Sequence, residues 1–321
     1  MCWSLLDVVK GCCNRCPWRG VLFTILYWLD IFFRKGLGKF LSVVVYGLVL
    51  FVVATLFVVI FPYESWWIPL PTLLIPILYI ITVYFTFSIL WHYRQASITS
   101  SGKPVKSSQE PQCWKCKNHK SSSTHHCSIC GECVVLMDHH CIWINRCVGA
   151  GNHRYFLQFC AFLTIGSGLA CVISSSTFYY NYWRPSHDVV ICNVGLKIFW
   201  MKQLCSYGND AIGGAIFFTY SLCLIISLLV GALFWWNVLL ISNGQTYIRF
   251  LKRLPSTAPD NSWKAFLTPW RRPDICEVWS DFLGLTNGRT FIRHILLPSK
   301  HKPIIPLHWD DEPPTVRLLT V

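Results

Sequence analysis

The chain has 321 residues, of which 53% are apolar, and its mean hydropathy of +0.43 excludes an ordinary soluble domain. The formal net charge of +13 would suit a nucleic-acid partner, but the basic residues lie mainly in polar segments that flank apolar stretches, which favours a membrane. Seventeen cysteines would suggest disulfides in a small secreted protein. Seven of them instead fall in one cluster of metal-ligand spacing, which requires reduced thiols.

Four long apolar stretches predict four membrane-spanning helices. They lie at 41–61, 72–92, 156–178 and 214–240. The first has about the 20 residues that one bilayer crossing needs, and it carries no charge. Pro76 lies within the second stretch and predicts a kink there. We therefore expect an all-α integral membrane protein with four transmembrane helices.

The segments outside these helices differ in positive charge. Lys and Arg number 6 in residues 1–40, 8 in 94–154 and 11 in 242–321, against none in the turn after the first helix and 3 in the loop 179–213. Positively charged segments stay in the cytosol. Both termini and the segment 94–154 are therefore predicted to be cytosolic, and the loop 179–213 is predicted to be lumenal.

The two terminal regions contain further features typical of a membrane surface. The segment 1–40 includes a shorter apolar run, 21–33, interrupted by Asp30, which predicts an interfacial helix. The region 242–321 mixes basic residues with Trp and Phe. Such a mixture can bind RNA, but beside a membrane it more often lies against lipid headgroups. We therefore expect the lipid bilayer as a partner and no nucleic acid.

The segment Cys113–Cys147 holds seven cysteines and five histidines in thirty-five residues. Its repeated Cys-x2-Cys pairs, followed by His, have the spacing of tetrahedral structural zinc sites. Adjacent side chains in an extended chain point to opposite sides. For that reason His126 and Cys127 suit two different ions, and so do His139 and His140. The segment predicts two interleaved zinc sites.

One natural partition gives each ion four ligands and leaves one cysteine over. The two sets are Cys113, Cys116, His126 and Cys133, and Cys127, Cys130, His140 and Cys147. The remaining Cys141 follows Asp138 and His139. A thiol, a base that takes its proton and a carboxylate that orients the base are what nucleophilic catalysis needs. The simpler alternative is a spare structural thiol at Cys141, but the adjacent Asp-His and the complete ligand sets favour catalysis.

The run Asp138-His139-His140-Cys141 within this cysteine-rich frame resembles the DHHC family of membrane protein S-acyltransferases, or palmitoyltransferases. The resemblance implies a small cytosolic two-zinc domain at 94–154, between the second and third transmembrane helices, in an endoplasmic reticulum or Golgi membrane. It also implies that Cys141 takes a long-chain acyl group, mainly palmitoyl, from acyl-CoA. The acyl group would then pass to cysteines of membrane-associated proteins.

The resemblance further implies residues that contact acyl-CoA. Trp143, Phe156 and Phe159 would line an acyl cavity, and Lys120, His125 and Asn152 would lie near the CoA. The alternatives are packing aromatics, a solvated lysine, a packed histidine and a loop asparagine. The run Gly166-Ser167-Gly168 lies where the family can carry a bulkier residue. We therefore expect a roomy cavity that accepts chains longer than palmitoyl.

Several positions depart from the family pattern. The replacements are Ile142 for a Pro after the nucleophile, Lys120-Ser-Ser-Ser123 for Lys-Pro-x-Arg, Ser100-Ser101-Gly102 for Asp-Pro-Gly, Thr246-Tyr247-Ile248-Arg249 for Thr-Thr-x-Glu, and Val278 for an asparagine. They favour a second hypothesis, a catalytically weak membrane scaffold that recruits partners through its zinc module. The intact Asp138, His139 and Cys141 favour the transferase. A zinc hydrolase is disfavoured because both ligand sets are closed.

Overall fold

The computed structural model describes residues 36–67, 74–104, 111–118, 120–183, 191–192, 203, 205–206, 209–253, 266–286 and 288–301. The interfacial helix predicted at 21–33 and the C-terminal tail from 302 to 321 lie outside the described residues.

Four long apolar helices form the body of the molecule. The first begins as α1, Leu37–Thr55, and continues through one π-helical turn, Leu56–Ile60, into α2, Phe61–Trp67. The others are α3, Leu74–Ile98, α4, His153–Phe178, which a π-helical turn extends to Trp183, and α5, Asn209–Ser242. Each of the four is long and apolar enough to cross a membrane. The chain is a multi-pass membrane protein, as the sequence predicts.

The second helix, α3, differs in detail from the stretch expected at 72–92. It begins at Leu74, so Pro76 lies in its first turn, where the missing N–H would have no helical partner in any case. The start of α3 therefore needs no kink at Pro76. The helix continues to Ile98, and its 25 residues span about 38 Å, more than the roughly 30 Å of a hydrocarbon core. Its last turns therefore carry the chain out to the cysteine-rich domain.

The third helix, α4, is central and packs mainly against α5 and α3. Small residues allow the close approach to α5. A Cβ atom at Gly231 would lie 3.1 Å from Thr164 Cγ2, and one at Gly168 would lie 3.2 Å from Ser227 Oγ. Contacts between small residues are typical of helix packing within membranes, where dispersion contacts rather than water exclusion hold helices together.

Two short antiparallel hairpins lie between α3 and α4. Strand β1, Thr124–Cys127, pairs with β2, Glu132–Val135, and β3, His139–Cys141, pairs with β4, Arg146–Val148. They are an addition to the all-α architecture predicted from the sequence. Isolated hairpins of this size are marginally stable in water. The hairpins therefore depend on cross-links from elsewhere, and they carry the cysteine-rich cluster predicted between the second and third helices.

Beyond α5 the chain folds back against the ends of the helices. It forms α6, Tyr247–Arg253, and α7, Ile275–Leu283. One face of α7 buries Val278 and Phe282 in an apolar cluster. Gly284 follows with a φ of 67°, a left-handed conformation that ends the helix at little steric cost.

The C-terminal segment 288–301 is held against α3 and α4 by polar side chains. The Tyr84 hydroxyl donates to the Leu296 carbonyl at 2.8 Å, and Arg154 Nη2 donates to the His301 carbonyl at 2.8 Å. The segment includes one π-helical turn, Ile292–Leu296, and these hydrogen bonds hold the segment along the two helices.

The loop between α4 and α5 contains a disulfide between Cys192 and Cys205. Close to it, Asn181 Oδ1 accepts a hydrogen bond from the Ile191 backbone N–H at 2.8 Å, which ties the loop to the end of the third span. The sequence analysis did not predict this disulfide.

Candidate active site and metal clusters

The structure gathers the eight candidate zinc ligands into two compact clusters. In each cluster the four ligand atoms lie within 4.8 Å of one another. The clusters are Cys113, Cys116, His126 and Cys133, and Cys127, Cys130, His140 and Cys147. These are the two sets of four that the ligand spacing indicates.

Both clusters fit a tetrahedral zinc ion. Zinc bonds of about 2.3 Å to sulfur and about 2.0–2.1 Å to nitrogen place ligand atoms roughly 3.3–3.8 Å apart. In the first cluster, Sγ of Cys113 and Sγ of Cys133 lie 3.7 and 3.8 Å from His126 Nδ1. In the second, Cys130 Sγ lies 3.4 Å from His140 Nδ1. Three thiols and an imidazole form a closed structural donor set.

The alternation of side chains along the strands distributes the ligands between the clusters. His126 faces Cys133 across the first hairpin, and His140 faces Cys147 across the second. Cys127, next to His126 in β1, points the other way and joins the second cluster. Ligands from both hairpins therefore surround the second cluster, so an ion there would link the hairpins.

Asp138, His139 and Cys141 lie together around β3. Asp138 Oδ2 accepts a hydrogen bond from His139 Nδ1 at 2.8 Å, and its Oδ1 accepts one from the Tyr247 backbone N–H at 2.6 Å. The carboxylate is therefore held on both sides, and Asp138 is only 2% exposed. His139 contacts the Cys141 thiol, whereas the adjacent His140 points into the second metal cluster.

The surroundings of these groups favour charge separation between thiol and imidazole. Burial alone would raise the pKa of Cys141, but His139 and the backbone N–H groups of Trp143 and Ile144 hold it below its ordinary value. Burial alone would lower the pKa of His139, but the contacts with Asp138 and Cys141 raise it to about 9. A thiolate beside an imidazolium is the reactive form of a cysteine nucleophile.

Cys141 lies on the wall of an apolar cavity of about 630 Å³ that is enclosed by the four long helices. Trp143, Phe156 and Phe159 line the cavity near the cysteine. Along α4 the lining continues to Ile173, roughly 25 Å from Phe156 at about 1.5 Å per residue. The cavity therefore extends from the cysteine deep into the helix bundle.

Lys120 and His125 lie at the first hairpin, outside the lining of this cavity, and both are half-buried. Burial, Lys252 and Lys120 together lower the pKa of His125 to about 4, so this imidazole is neutral. Lys252, which the sequence analysis did not consider, donates from Nζ to the Ser122 carbonyl at 3.5 Å. It brings a cation beside Ser123, where the family pattern has an arginine.

Asn152, which the resemblance places near the CoA, links three elements of the chain. It is fully buried, and its Nδ2 donates to the carbonyls of Ala96 and Cys147 at 3.0 Å each, while its Oδ1 accepts the Gly149 N–H at 3.0 Å. Asn152 therefore joins the end of α3, strand β4 and the start of α4.

The divergent Ser100-Ser101-Gly102 element forms a docked structure. The Ser101 hydroxyl donates to the Cys147 carbonyl at 2.6 Å, and the Val135 N–H donates to the Gly102 carbonyl at 3.0 Å. Gly102 has a φ of 97°, which favours glycine. The end of α3 is thereby attached to both hairpins without an aspartate or proline.

The divergence around Thr246 also leaves a structural link intact. The Tyr247 N–H that binds Asp138 belongs to the backbone, so the change from a carboxylate to a guanidinium at Arg249 does not remove it. At the former asparagine position, Val278 is fully buried among apolar side chains. Sequence reasoning missed Tyr247 because a backbone contact leaves no trace in residue type.

A family model described as DHHC palmitoyltransferase matches residues 106–254, which include both clusters and the Asp138–Cys141 run. The chain belongs to the DHHC palmitoyltransferase family. This DHHC chain is 34% identical over 233 residues to Palmitoyltransferase ZDHHC16 of Mus musculus, covering 70% of this chain and 61% of the relative. It is 33% identical over 235 residues to Palmitoyltransferase ZDHHC16 of Homo sapiens, covering 67% and 60%.

A more distant DHHC relative is Palmitoyltransferase PFA3 of Debaryomyces hansenii, 28% identical over 195 residues, with 61% of this chain and 43% of the relative covered. The segments THHCSICGECVVLMDHHC and NHRYF predict likeness to the member Abl-philin, another name of ZDHHC16, and the comparison confirms this. The chain spans about three fifths of the length of the ZDHHC16 relatives it matches.

Proposed function

We propose that this DHHC protein is a protein S-acyltransferase. It would move a long-chain acyl group, mainly palmitoyl, from acyl-CoA to cysteines of membrane-associated proteins. The observation that carries the proposal is the position of Cys141, which contacts His139 and at the same time lines a deep apolar cavity. A thiol activated by a base serves thioester chemistry, and the cavity suits the hydrocarbon chain of such a thioester.

The first step transfers the acyl group to the enzyme. His139 takes the proton from the Cys141 thiol, and Asp138 holds the imidazole and stabilises its positive charge. The thiolate attacks the thioester carbonyl of acyl-CoA, a new carbon–sulfur bond forms, and the bond to the CoA sulfur breaks. The CoA thiolate leaves with the proton from His139.

The second step reverses these roles. A cysteine thiol of the substrate protein gives its proton to His139, and its sulfur attacks the acyl carbonyl on Cys141. The bond to Cys141 breaks, and the enzyme thiolate is regenerated beside the imidazolium. Since one thioester replaces another, the exchange is nearly balanced, and the enzyme contributes mainly positioning and thiolate activation.

The cavity supplies binding energy for the acyl chain. Trp143, Phe156 and Phe159 line its cytosolic end, and burial of each CH₂ group contributes about 0.8 kcal/mol. Lys120 and Lys252, which are both close enough to His125 to lower its pKa, are the cations that we assign to the CoA phosphates. Lys252 would then take over the charge that the family pattern places at residue 123.

Zinc in the second Cys₃His cluster would cross-link the two hairpins, and zinc in the first would join the segment that contains Cys113 and Cys116 to the first hairpin. The ion in the second cluster would also fix His140, and the alternation of β3 then directs His139 towards Cys141. When bound, zinc supplies structure rather than a reactive ligand position, because every site has four protein ligands.

We place the termini and the zinc domain on the cytosolic side of an endoplasmic reticulum or Golgi membrane. The distribution of Lys and Arg supports this orientation. The Cys192–Cys205 disulfide supports it independently, because disulfides persist in an oxidising lumen whereas zinc thiolates require a reducing cytosol. The choice of organelles follows from the resemblance to the family.

Autoacylation tests the proposed function. Purified protein in detergent is incubated with labelled palmitoyl-CoA, and the label is then challenged with hydroxylamine, which cleaves thioesters. We expect a hydroxylamine-sensitive label on the wild-type protein and none on Cys141→Ser. If folded protein with two zinc ions per chain takes up no label, the transferase proposal is wrong and the scaffold hypothesis replaces it.

A further inference from the structure

The turn that follows Cys141 surrounds its sulfur with backbone donors. Residues 142–145 connect β3 to β4, and the Asn145 N–H closes the turn on the Ile142 carbonyl at 3.2 Å. The N–H groups of Trp143 and Ile144 lie beside the Cys141 sulfur. Successive backbone N–H groups that converge on one point form a site for negative charge.

A hydroxyl from α3 holds this turn from its other side. Tyr93 donates its O–H to the Trp143 carbonyl at 2.7 Å. That carbonyl and the Ile144 N–H belong to the same peptide unit, and in a trans peptide the two point in opposite directions. Holding the carbonyl towards Tyr93 therefore directs the Ile144 N–H away from Tyr93 and towards Cys141. The hydrogen bond also polarises the peptide, which makes its N–H a stronger donor.

Tyr93 is itself firmly placed. Its side chain is 1% exposed, and its ring packs edge-on against Tyr46 and tilted against Phe159, each at a centroid distance of 5.2 Å. The far end of the turn has a second support, because a Cβ atom at Gly38 would overlap with the Asn145 side chain. The first and second membrane-spanning helices thus both hold the turn next to the nucleophile.

We infer that Tyr93 is a positioning residue for acyl transfer, acting through the Trp143–Ile144 peptide. The peptide stabilises negative charge on the Cys141 sulfur as it attacks acyl-CoA, and again as it leaves when the substrate thiol displaces it. Tyr93 does not line the cavity; its hydroxyl fixes the peptide whose N–H lies beside the Cys141 sulfur. This inference rests on the proposed transferase function.

The test compares two tyrosine-to-phenylalanine variants of the full chain. Tyr93→Phe keeps the ring and removes the hydroxyl that binds the turn. Tyr46→Phe is the matched control, since it removes a hydroxyl from the ring that packs edge-on against Tyr93 and leaves the Tyr93–Trp143 hydrogen bond in place. The single-turnover rate of acylation by palmitoyl-CoA is measured for both, together with KM, zinc content and the thermal midpoint.

We expect Tyr93→Phe to slow acylation at saturating palmitoyl-CoA at least about tenfold, since direct loss of a donor in comparable sites costs about 10²–10³-fold in kcat. KM for palmitoyl-CoA, zinc content and thermal midpoint should stay near wild type. Tyr46→Phe should acylate within about twofold of wild type. Replacement of Tyr93 by 4-aminophenylalanine, which restores an N–H donor on the same ring, should recover most of the rate.

Three outcomes would overturn the inference: equal rates in Tyr93→Phe and Tyr46→Phe, a change confined to KM, or no recovery with 4-aminophenylalanine. A loss of rate in Tyr93→Phe that only follows a loss of zinc or of thermal stability would overturn it as well, because the hydroxyl would then support the fold rather than the nucleophile. Failure of the proposed function is distinct, because the wild-type protein would then carry no label at all.

Discussion

Asp138 is a buried carboxylate whose two oxygens each accept a hydrogen bond. It is almost completely buried, and it uses one oxygen for His139 and the other for the Tyr247 N–H. Although burial alone would raise its pKa, the hydrogen bond with His139 and the nearby His153 keep it below the ordinary value for an aspartate. Asp138 is thus ionised, and its charge keeps a proton on Nδ1 of His139, so that Nε2 is the nitrogen that exchanges a proton with Cys141.

Asp138→Asn is predicted to abolish most activity while leaving the fold intact. The amide can still accept the Tyr247 N–H, but its NH₂ group would face His139 Nδ1 and force the proton onto Nε2. The imidazole could then no longer take the thiol proton. We expect acylation to slow by about 10³-fold or more, in line with the about 10⁴-fold loss for the same change in a Ser-His-Asp triad. Single-turnover labelling measures it.

The control for this change is the zinc content and thermal midpoint of the same preparation, both of which should match the wild-type protein. A labelling rate within about tenfold of wild type would show that Asp138 does not set the state of His139.

The sequence predicted the carboxylate, the imidazole and the thiol of this site, but not the residues that hold these groups in place. Because strand alternation is a local property, the spacing alone allowed His126 and Cys127 to be assigned to two different ions, and His140 to an ion while His139 stays beside Cys141. Tyr93 and Tyr247 could not be found in this way. Both reach the site from helices distant in sequence, and one of them acts through its backbone.

The two hairpins hold Asp138, His139 and Cys141 in fixed positions relative to one another. Each has strands of only three or four residues, too short to be stable alone. Their folding therefore depends on the metal clusters and on the docking of Ser101 and Gly102. Removal of an ion and removal of the nucleophile should have different consequences.

Cys130→Ser is predicted to lower folded yield and reduce zinc from two ions per chain, because Cys130 belongs to the second cluster. Cys141→Ser should keep both the yield and the two ions. Metal analysis of protein purified in parallel measures this difference. Loss of an ion from Cys141→Ser, or retention of both in Cys130→Ser, would contradict the assignment of the ligands.

Gly166 lines the cavity at the place where α4 packs against α3. A Cβ atom at Gly166 would lie 3.2 Å from Ile89 Cδ1 and 3.4 Å from Phe85 Cδ1. A larger side chain cannot pack into the helix interface without displacing these neighbours. It would therefore project into the cavity or push the neighbouring side chains into it.

Gly166→Leu is predicted to shift acyl preference towards shorter chains. The wild-type protein should accept stearoyl-CoA, whereas the variant should lose stearoyl transfer by about tenfold relative to myristoyl, since clashes of this size cost about 1–3 kcal/mol. Competition between acyl-CoAs of different length measures the ratio. Gly47→Leu is the control, because a Cβ at Gly47 meets nothing within 4 Å. Strong rejection of stearoyl-CoA by the wild-type protein would contradict the expectation of a roomy cavity.

At the level of elements, hydropathy predicted the four helices because an apolar run of about 20 residues satisfies its backbone hydrogen bonds within a membrane most simply as a helix. It could not predict that the C-terminal segment 288–301 would lie along α3 and α4. That arrangement depends on donors such as Tyr84 and Arg154, which bind carbonyls about 150 or more residues away. Hydropathy also could not predict that the buried Asn152 side chain binds backbone groups of three segments, because asparagine is common in exposed loops as well.

The molecule as a whole separates two kinds of cysteine. The seven cysteines between Cys113 and Cys147 are free thiols, six of them in metal clusters, while Cys192 and Cys205 form a disulfide in the loop between α4 and α5. No single aqueous compartment supports both states well. A membrane between them, as in the proposed orientation, would account for both states and agrees with the distribution of positive charge.

Protein isolated from sealed microsomes is predicted to contain a peptide in which Cys192 is linked to Cys205. Protease added outside the vesicles should remove tags from both termini and leave the disulfide-linked loop protected. Mass spectrometry of protein alkylated before reduction measures both. Detergent-permeabilised vesicles are the control, in which the loop becomes accessible. Cleavage of the loop in sealed vesicles, or alkylation of both cysteines without reduction, would contradict the proposed orientation.

The cavity beside Cys141 has a consequence for the choice of substrates. In the proposed reaction, an acyl chain held there would keep the reactive thioester at one fixed height relative to the bilayer. An acceptor cysteine would then be competent only at that height, and a protein already bound to the membrane would reach it by diffusing in two dimensions. Its high effective concentration would reduce the need for affinity towards the surrounding sequence. Selection would depend on where an acceptor cysteine sits rather than on which residues flank it.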